Sequence, residues 1–155
     1  MNYTRIVLAG AATWIASLAL GYLINNVWLL PLYHANAWAF RRDQDVMPLL
    51  PIGFGVQLVA CLAFAFAYAK GYERNREASG IAQGVRFGLL MSIIVAGFAV
   101  VWNYVTEPIA PRLGILEVLS VIGQFGIYGA IVGLVYHPSR LTVPRHANEP
   151  YDLRG

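Results

Sequence analysis

Charge is scarce in this sequence. Only 12% of its residues are Asp, Glu, Lys or Arg, about half the share of an ordinary soluble domain, and the deficit falls in blocks. Residues 6–40, 46–69 and 87–106 hold no charged side chain, and residues 113–139 hold only Glu117. A soluble chain of 155 residues has too much surface to bury four such blocks. Cysteine is almost missing too. Cys61 stands alone, which excludes an internal disulfide, a Cys-x-x-Cys redox pair and a zinc site built on cysteines. It reads as a small apolar filler. Ser-x-x-Lys, Gly-x-Ser-x-Gly, His-Glu-x-x-His and phosphate-loop patterns are all absent, so no motif names a reaction. His34, His137 and His146 fall on different predicted faces of the membrane, so they do not converge as metal ligands. No cofactor is implied.

What is present is length in the apolar blocks. Crossing a hydrocarbon core takes about 20 apolar residues, and four segments supply them, over about 6–30, 49–69, 84–105 and 113–136. The first run is much longer than the roughly 7–15 apolar residues of a secretory signal, so it is read as a true span. Pro31 is expected to end or kink it, because proline lacks an amide hydrogen. Continuing as helix to Phe40 would give a rod of about 52 Å, so residues 32–40, with Tyr33, His34, Asn36 and Trp38, are expected to lie along the interface. Pro48 and Pro51 open the second segment, and Ser79 is placed to cap the third. A stiff turn at 107–112 precedes the fourth, and residues 138–155 form a polar, proline-containing tail that alone would be disordered. The fold class is all-α: a four-helix transmembrane bundle over residues 1–137, followed by that tail.

Orientation follows from the cations. Arg5, Lys70, Arg74, Arg76, Arg86, Arg140, Arg145 and Arg154 fall on one predicted face, and Arg41, Arg42 and Arg112 on the other. Lys and Arg collect on the cytoplasmic side, so both termini are expected there. The net charge of +3 is then a product of topology, and no nucleic-acid partner is needed to explain it. The expected partners are membrane lipids, and other membrane subunits or a second copy.

Polar residues within the spans mark where function would lie. Glu117, Ser120 and Gln124 are spaced i, i+3, i+7 and share one face of the last helix. Asn25 continues a Ser17, Gly21 stripe on the first helix, and Asn103 ends a Gly88, Ser92, Ala96, Ala99 stripe on the third. Gln57 lies near the middle of the second. Turning the small-residue stripes inward gathers Asn25, Asn103, Glu117 and Gln124 into one outward-opening pocket, where Glu117 serves as a proton, cation or ligand group. The alternative is that Glu117 accepts hydrogen bonds from Asn103 or a loop amide. Gly126, Gly129 and Gly133 form a second face of the last helix, and Gly84 and Gly88 a matching pair on the third. Small residues let helices approach closely. That face packs within the bundle, against another protomer or against a foreign subunit.

Ala19-x-Gly21-Tyr22 with Trp28, Pro31, Leu32 and Trp38 resembles the first helix of an uncharacterised bacterial family of four-helix membrane proteins. Gly84-x-x-x-Gly88, Trp102-Asn103-Tyr104 and a glycine-rich last helix extend the likeness over roughly residues 5–137. The resemblance implies the fold and a multi-pass location in the bacterial cytoplasmic (inner) membrane, and carries no activity. The expected function is action through helix contacts, as an accessory subunit of a larger membrane complex or as a homo-oligomer. The second glycine face and the tail suggest it. The competing expectation is a small transporter or binder of an apolar or cationic molecule at the Glu117 pocket. An enzyme is less expected than either.

Overall fold

A computed structural model describes residues 2–71 and 79–136. Most of those residues are helical, with no strand among them. Helix α1 spans Tyr3–Trp28. The Asn2 side chain opens it by accepting the Arg5 amide at 3.2 Å, which satisfies one of the free N–H groups of the first turn. Its last five residues, Ile24–Trp28, are wound as a π-helix. The chain breaks at buried Leu29 and resumes as α2, Leu30–Ala35. Pro31 thus follows directly on the break that ends the first helix, as expected. It sits in the first turn of α2, where the missing amide costs nothing. The stretch expected to lie flat is thus partly helical, followed by a 3₁₀ turn at Ala37–Ala39.

After single turns at Asp43–Val46 and Met47–Leu49, α3 runs over Leu50–Gly71, about 33 Å at 1.5 Å per residue. Helix α4 spans Gly80–Thr106, with a π-turn at Ala96–Val100. Ser79 stands at its N-cap position without using its side chain; its carbonyl accepts the Gln83 amide instead. Helix α5, Pro111–Tyr136, starts on a proline for the same reason as α2. The sequence tail at 138–155 and the charged loop at 72–78 lie outside the described residues.

Four helices are long and apolar enough to cross a membrane. Their exposed side chains are the large apolar ones, including Phe98, Ile93, Val59 and Leu134, the reverse of a soluble bundle. The helices alternate in direction. Tyr3, Gly71, Gly80 and Tyr136 gather at one end, called here the terminal end: the Tyr68 hydroxyl donates to the Gly80 carbonyl at 3.2 Å, and the Tyr68 and Tyr136 rings meet edge-on at 6.0 Å. The buried apolar core, with Ile6, Ala9, Ala65, Tyr68, Val132 and Tyr136, lies toward this end.

Three contacts organise the bundle: α4 on α5, α1 on α3, and α1 on α5. The α4–α5 seam is made by glycine. A Cβ added at Gly84 would run into the Gly129 carbonyl, one at Gly88 into that of Phe125, one at Gly129 into that of Gly84 and one at Gly133 into that of Gly80. All four glycines are buried. Gly126, at the edge of the stripe, would place its Cβ 3.8 Å from Leu89 Cδ2, an ordinary contact. Of the neighbours open to this glycine face, packing within the bundle is the one found: α4 of the same chain covers it. On the other side, Gly10 admits α3: a Cβ there would lie 3.0 Å from Leu62 Cα. The Trp14 indole donates to the Phe54 carbonyl at 3.2 Å.

Candidate functional site

The intramembrane polar groups do not form one pocket. They separate into an anchor at the end opposite Tyr3 and Tyr136 and a cleft near mid-depth.

The anchor is built by α2. Tyr33 and Asn36 are three residues apart and share a face. The Tyr33 hydroxyl lies 3.0 Å from Glu117 Oε1 and 3.3 Å from Asn25 Oδ1. One phenolic hydrogen serves one acceptor at a time, and Glu117 offers the shorter contact. Burial first, and the Glu117 carboxylate beside it second, push the Tyr33 phenol above its usual pKa, so it remains a donor. Asn36 is buried; its amide nitrogen donates to the Leu32 carbonyl at 2.8 Å, and its oxygen accepts the Ala110 amide at 3.0 Å. These bonds tie the end of the first hairpin to the start of α5. Glu117 thus meets neither Asn103 nor a loop amide. Asn103 is exposed on α4, and its side chain bonds to no described residue. Ser120 returns its hydroxyl to the Glu117 carbonyl at 2.8 Å.

The cleft opens between α3 and α4. These helices scarcely approach each other by backbone, and near the terminal end Phe87 of α4 bridges the gap to Phe64 at 5.0 Å and Tyr68 at 5.5 Å. Beyond that bridge lies a space of about 540 Å³. Ala60, Ala63 and Ala67 of α3 line one wall, Met91 and Val95 of α4 the other, and α1 and α5 form the floor. Spacings of three and four put the alanines on one face, so along this wall α3 presents a row of methyl groups.

The polar groups on this cleft differ in how far they are satisfied. Thr13 and Ser17 return their hydroxyls to their own helix, to Ala9 at 2.8 Å and Trp14 at 2.7 Å. The Ser17 hydroxyl also lies 4.0 Å from the Cys61 sulfur. Tyr128 donates to Gln124 Oε1 at 2.9 Å. That leaves the amide nitrogen of Gln124 and the whole carboxamide of Gln57 without a partner among the described residues. Both glutamines line the cleft, and no acidic residue does. Gln57 and Gln124 were legible as intramembrane polar groups; Tyr33 and Asn36 were expected only along the interface, and Tyr128 was not singled out, although a tyrosine four residues after a glutamine on one helix is a readable pair. Among the described residues, no group of three or more His, Cys, Asp or Glu assembles.

No family model matches this chain, and neither does any curated protein or solved structure.

Proposed function

We propose that this protein binds one apolar molecule carrying a neutral hydrogen-bonding group, such as a carbonyl, in the cleft between α3 and α4. The carrying observation is the free carboxamide of Gln57 and the free amide nitrogen of Gln124 on a largely apolar cleft at mid-depth. A polar group without a partner costs several kcal/mol in hydrocarbon, by an order-of-magnitude estimate. Lipid chains fill the space without relieving that cost, whereas a carbonyl or hydroxyl does. The volume falls within the range of small-molecule sites, which pair apolar walls with a few convergent polar groups. The ligand is neutral in this reading. Glu117 does not line the cleft and is engaged by Tyr33.

The proposed setting is the bacterial inner membrane with both termini cytoplasmic, supported by the excess of Lys and Arg on that side. Periplasm-active reporters fused after Gly155 and near Asp43 are expected to be silent and active respectively; the reverse pattern would invert the topology. Of the two features that suggested an accessory subunit or homo-oligomer, the glycine face is covered within the chain and the tail lies outside the described residues. Native mass spectrometry of the purified full chain tests the binding reading. The wild type should carry one apolar molecule of defined mass. Gln57→Leu combined with Gln124→Leu should lower its occupancy about tenfold with the helical fold retained. Undiminished occupancy in that variant would remove the glutamines from recognition and the proposal with them.

A further inference from the structure

A second concavity lies along α2, at the end opposite Tyr3 and Tyr136, and its chemistry differs from that of the cleft. It measures about 500 Å³ and runs between Asn26 in the π-turn of α1, Tyr33 and His34 of α2, and Arg41 and Arg42 beyond the 3₁₀ turn. Its remaining walls include Leu30 and Phe40, and none of its lining residues is acidic. The Phe40 ring is held edge-on against Tyr33 at 5.3 Å, which fixes the strand of chain that delivers the arginines.

The two arginines are not equivalent. Arg42 donates Nε to Asp45 at 3.1 Å, and with the Gln44 amide oxygen turned toward it also donates both terminal nitrogens at 3.2 Å. Arg41, beside it, has no counterion among the described residues. His34 is exposed on the same concavity and bonds to no described side chain. The setting is the edge of the apolar span: Trp28 and Trp38, both exposed, flank it in sequence, and indoles concentrate where hydrocarbon meets headgroups. Exposed Leu30 continues the wall toward the apolar surface.

The geometry points to this concavity as a binding site for the phosphate-bearing headgroup of an anionic phospholipid, with Arg41 as its principal cation. A guanidinium binds phosphate oxygens through paired N–H donors. Asn26 and His34 supply further hydrogen-bonding groups, and Leu30 guides the first part of an acyl chain. A freely soluble phosphate compound would use the arginine without needing the apolar wall or the position at the membrane edge. The site is separate from the α3–α4 cleft and stands whether or not the cleft binds anything.

The test uses the purified full chain and a mixture of phosphatidylglycerol and phosphatidylcholine, with retained lipids counted by native mass spectrometry. The wild type should retain phosphatidylglycerol in preference. Arg41→Gln should lower that preference about tenfold. Arg112→Gln removes an equal charge from the start of α5, outside the concavity, and should leave the preference intact. Equal losses in both variants, or no preference in the wild type, would overturn the site. So would displacement of the lipid by millimolar inorganic phosphate, which would reassign the arginine to soluble anions. Arg41 is exposed, and unchanged circular dichroism would establish that its replacement leaves the fold intact.

Discussion

The two seams flanking α4 each have a wall of small residues and have opposite outcomes. Toward α5, Gly84 and Gly88 meet Gly129 and Gly133, and the backbones touch. Toward α3, Met91 and Val95 face Ala60, Ala63 and Ala67 across a cleft of about 540 Å³. In water such a gap would collapse or cost stability. In a membrane it is filled by chains as apolar as the residues around it, so helices close only where backbone contact gains more than lipid does. Glycine on both sides supplies that gain. Alanine facing methionine and valine does not, and α4 has one glycine face, already committed to α5. The open seam is therefore a consequence of the closed one.

Breaking the closed seam should have the largest effect. Gly84→Leu or Gly129→Leu forces a side chain into a facing carbonyl and should cost about 3 kcal/mol, measured as a lower midpoint in detergent-induced unfolding. The variants should remain the same size in mild detergent before they unfold, because the contact is within one chain. A loss of oligomer mass instead would restore the glycine face to an interface between chains.

The anchor comes next. Asn36→Ala strands the Ala110 amide and should cost about 1–3 kcal/mol in the same assay. Tyr33→Phe removes the bond to Glu117 at about 1–2 kcal/mol. Burial raises the Tyr33 pKa in the folded state. Its contribution is therefore fully present below the unfolded value of about 10 and is lost as pH rises beyond it. Unfolding midpoints followed into alkali should fall more steeply for the wild type than for Tyr33→Phe. Glu117→Gln keeps an acceptor oxygen for Tyr33 and should cost less than about 1 kcal/mol. Smallest of all, Gly97→Ala adds a methyl where nothing lies within 4 Å and should gain about 0.5 kcal/mol from helix propensity.

The spans were readable because charge is excluded from hydrocarbon whatever the packing. The glycine stripe was readable as a packing face, but its partner stayed open between the third helix, another protomer and a foreign subunit, since a stripe states only that something comes close. Asn103 illustrates a second limit. It extends the Gly88, Ser92, Ala96 stripe at regular helical spacing, yet the π-turn at Ala96–Val100 inserts a residue and rotates everything beyond it. Asn103 turns outward as a result. The π-turn at Ile24–Trp28 and the break at Leu29 likewise set the course of α2, which brings Tyr33 rather than Asn103 to Glu117. The cleft left little trace in sequence. It arises where two helices fail to pair, and its two glutamines were readable only as intramembrane polar groups.

Whether the cleft holds a chosen molecule or bulk lipid is the central question, and photo-crosslinking answers it most directly. A photoreactive residue in place of Ala63 samples the cleft, and the same residue in place of Ile93 samples the exposed surface of α4. In native membranes, position 63 should capture one adduct of defined mass, diminished when Gln57 and Gln124 are both leucine, while position 93 captures the mixed membrane lipids. The same lipid mixture at both positions, indifferent to the glutamines, would contradict the account.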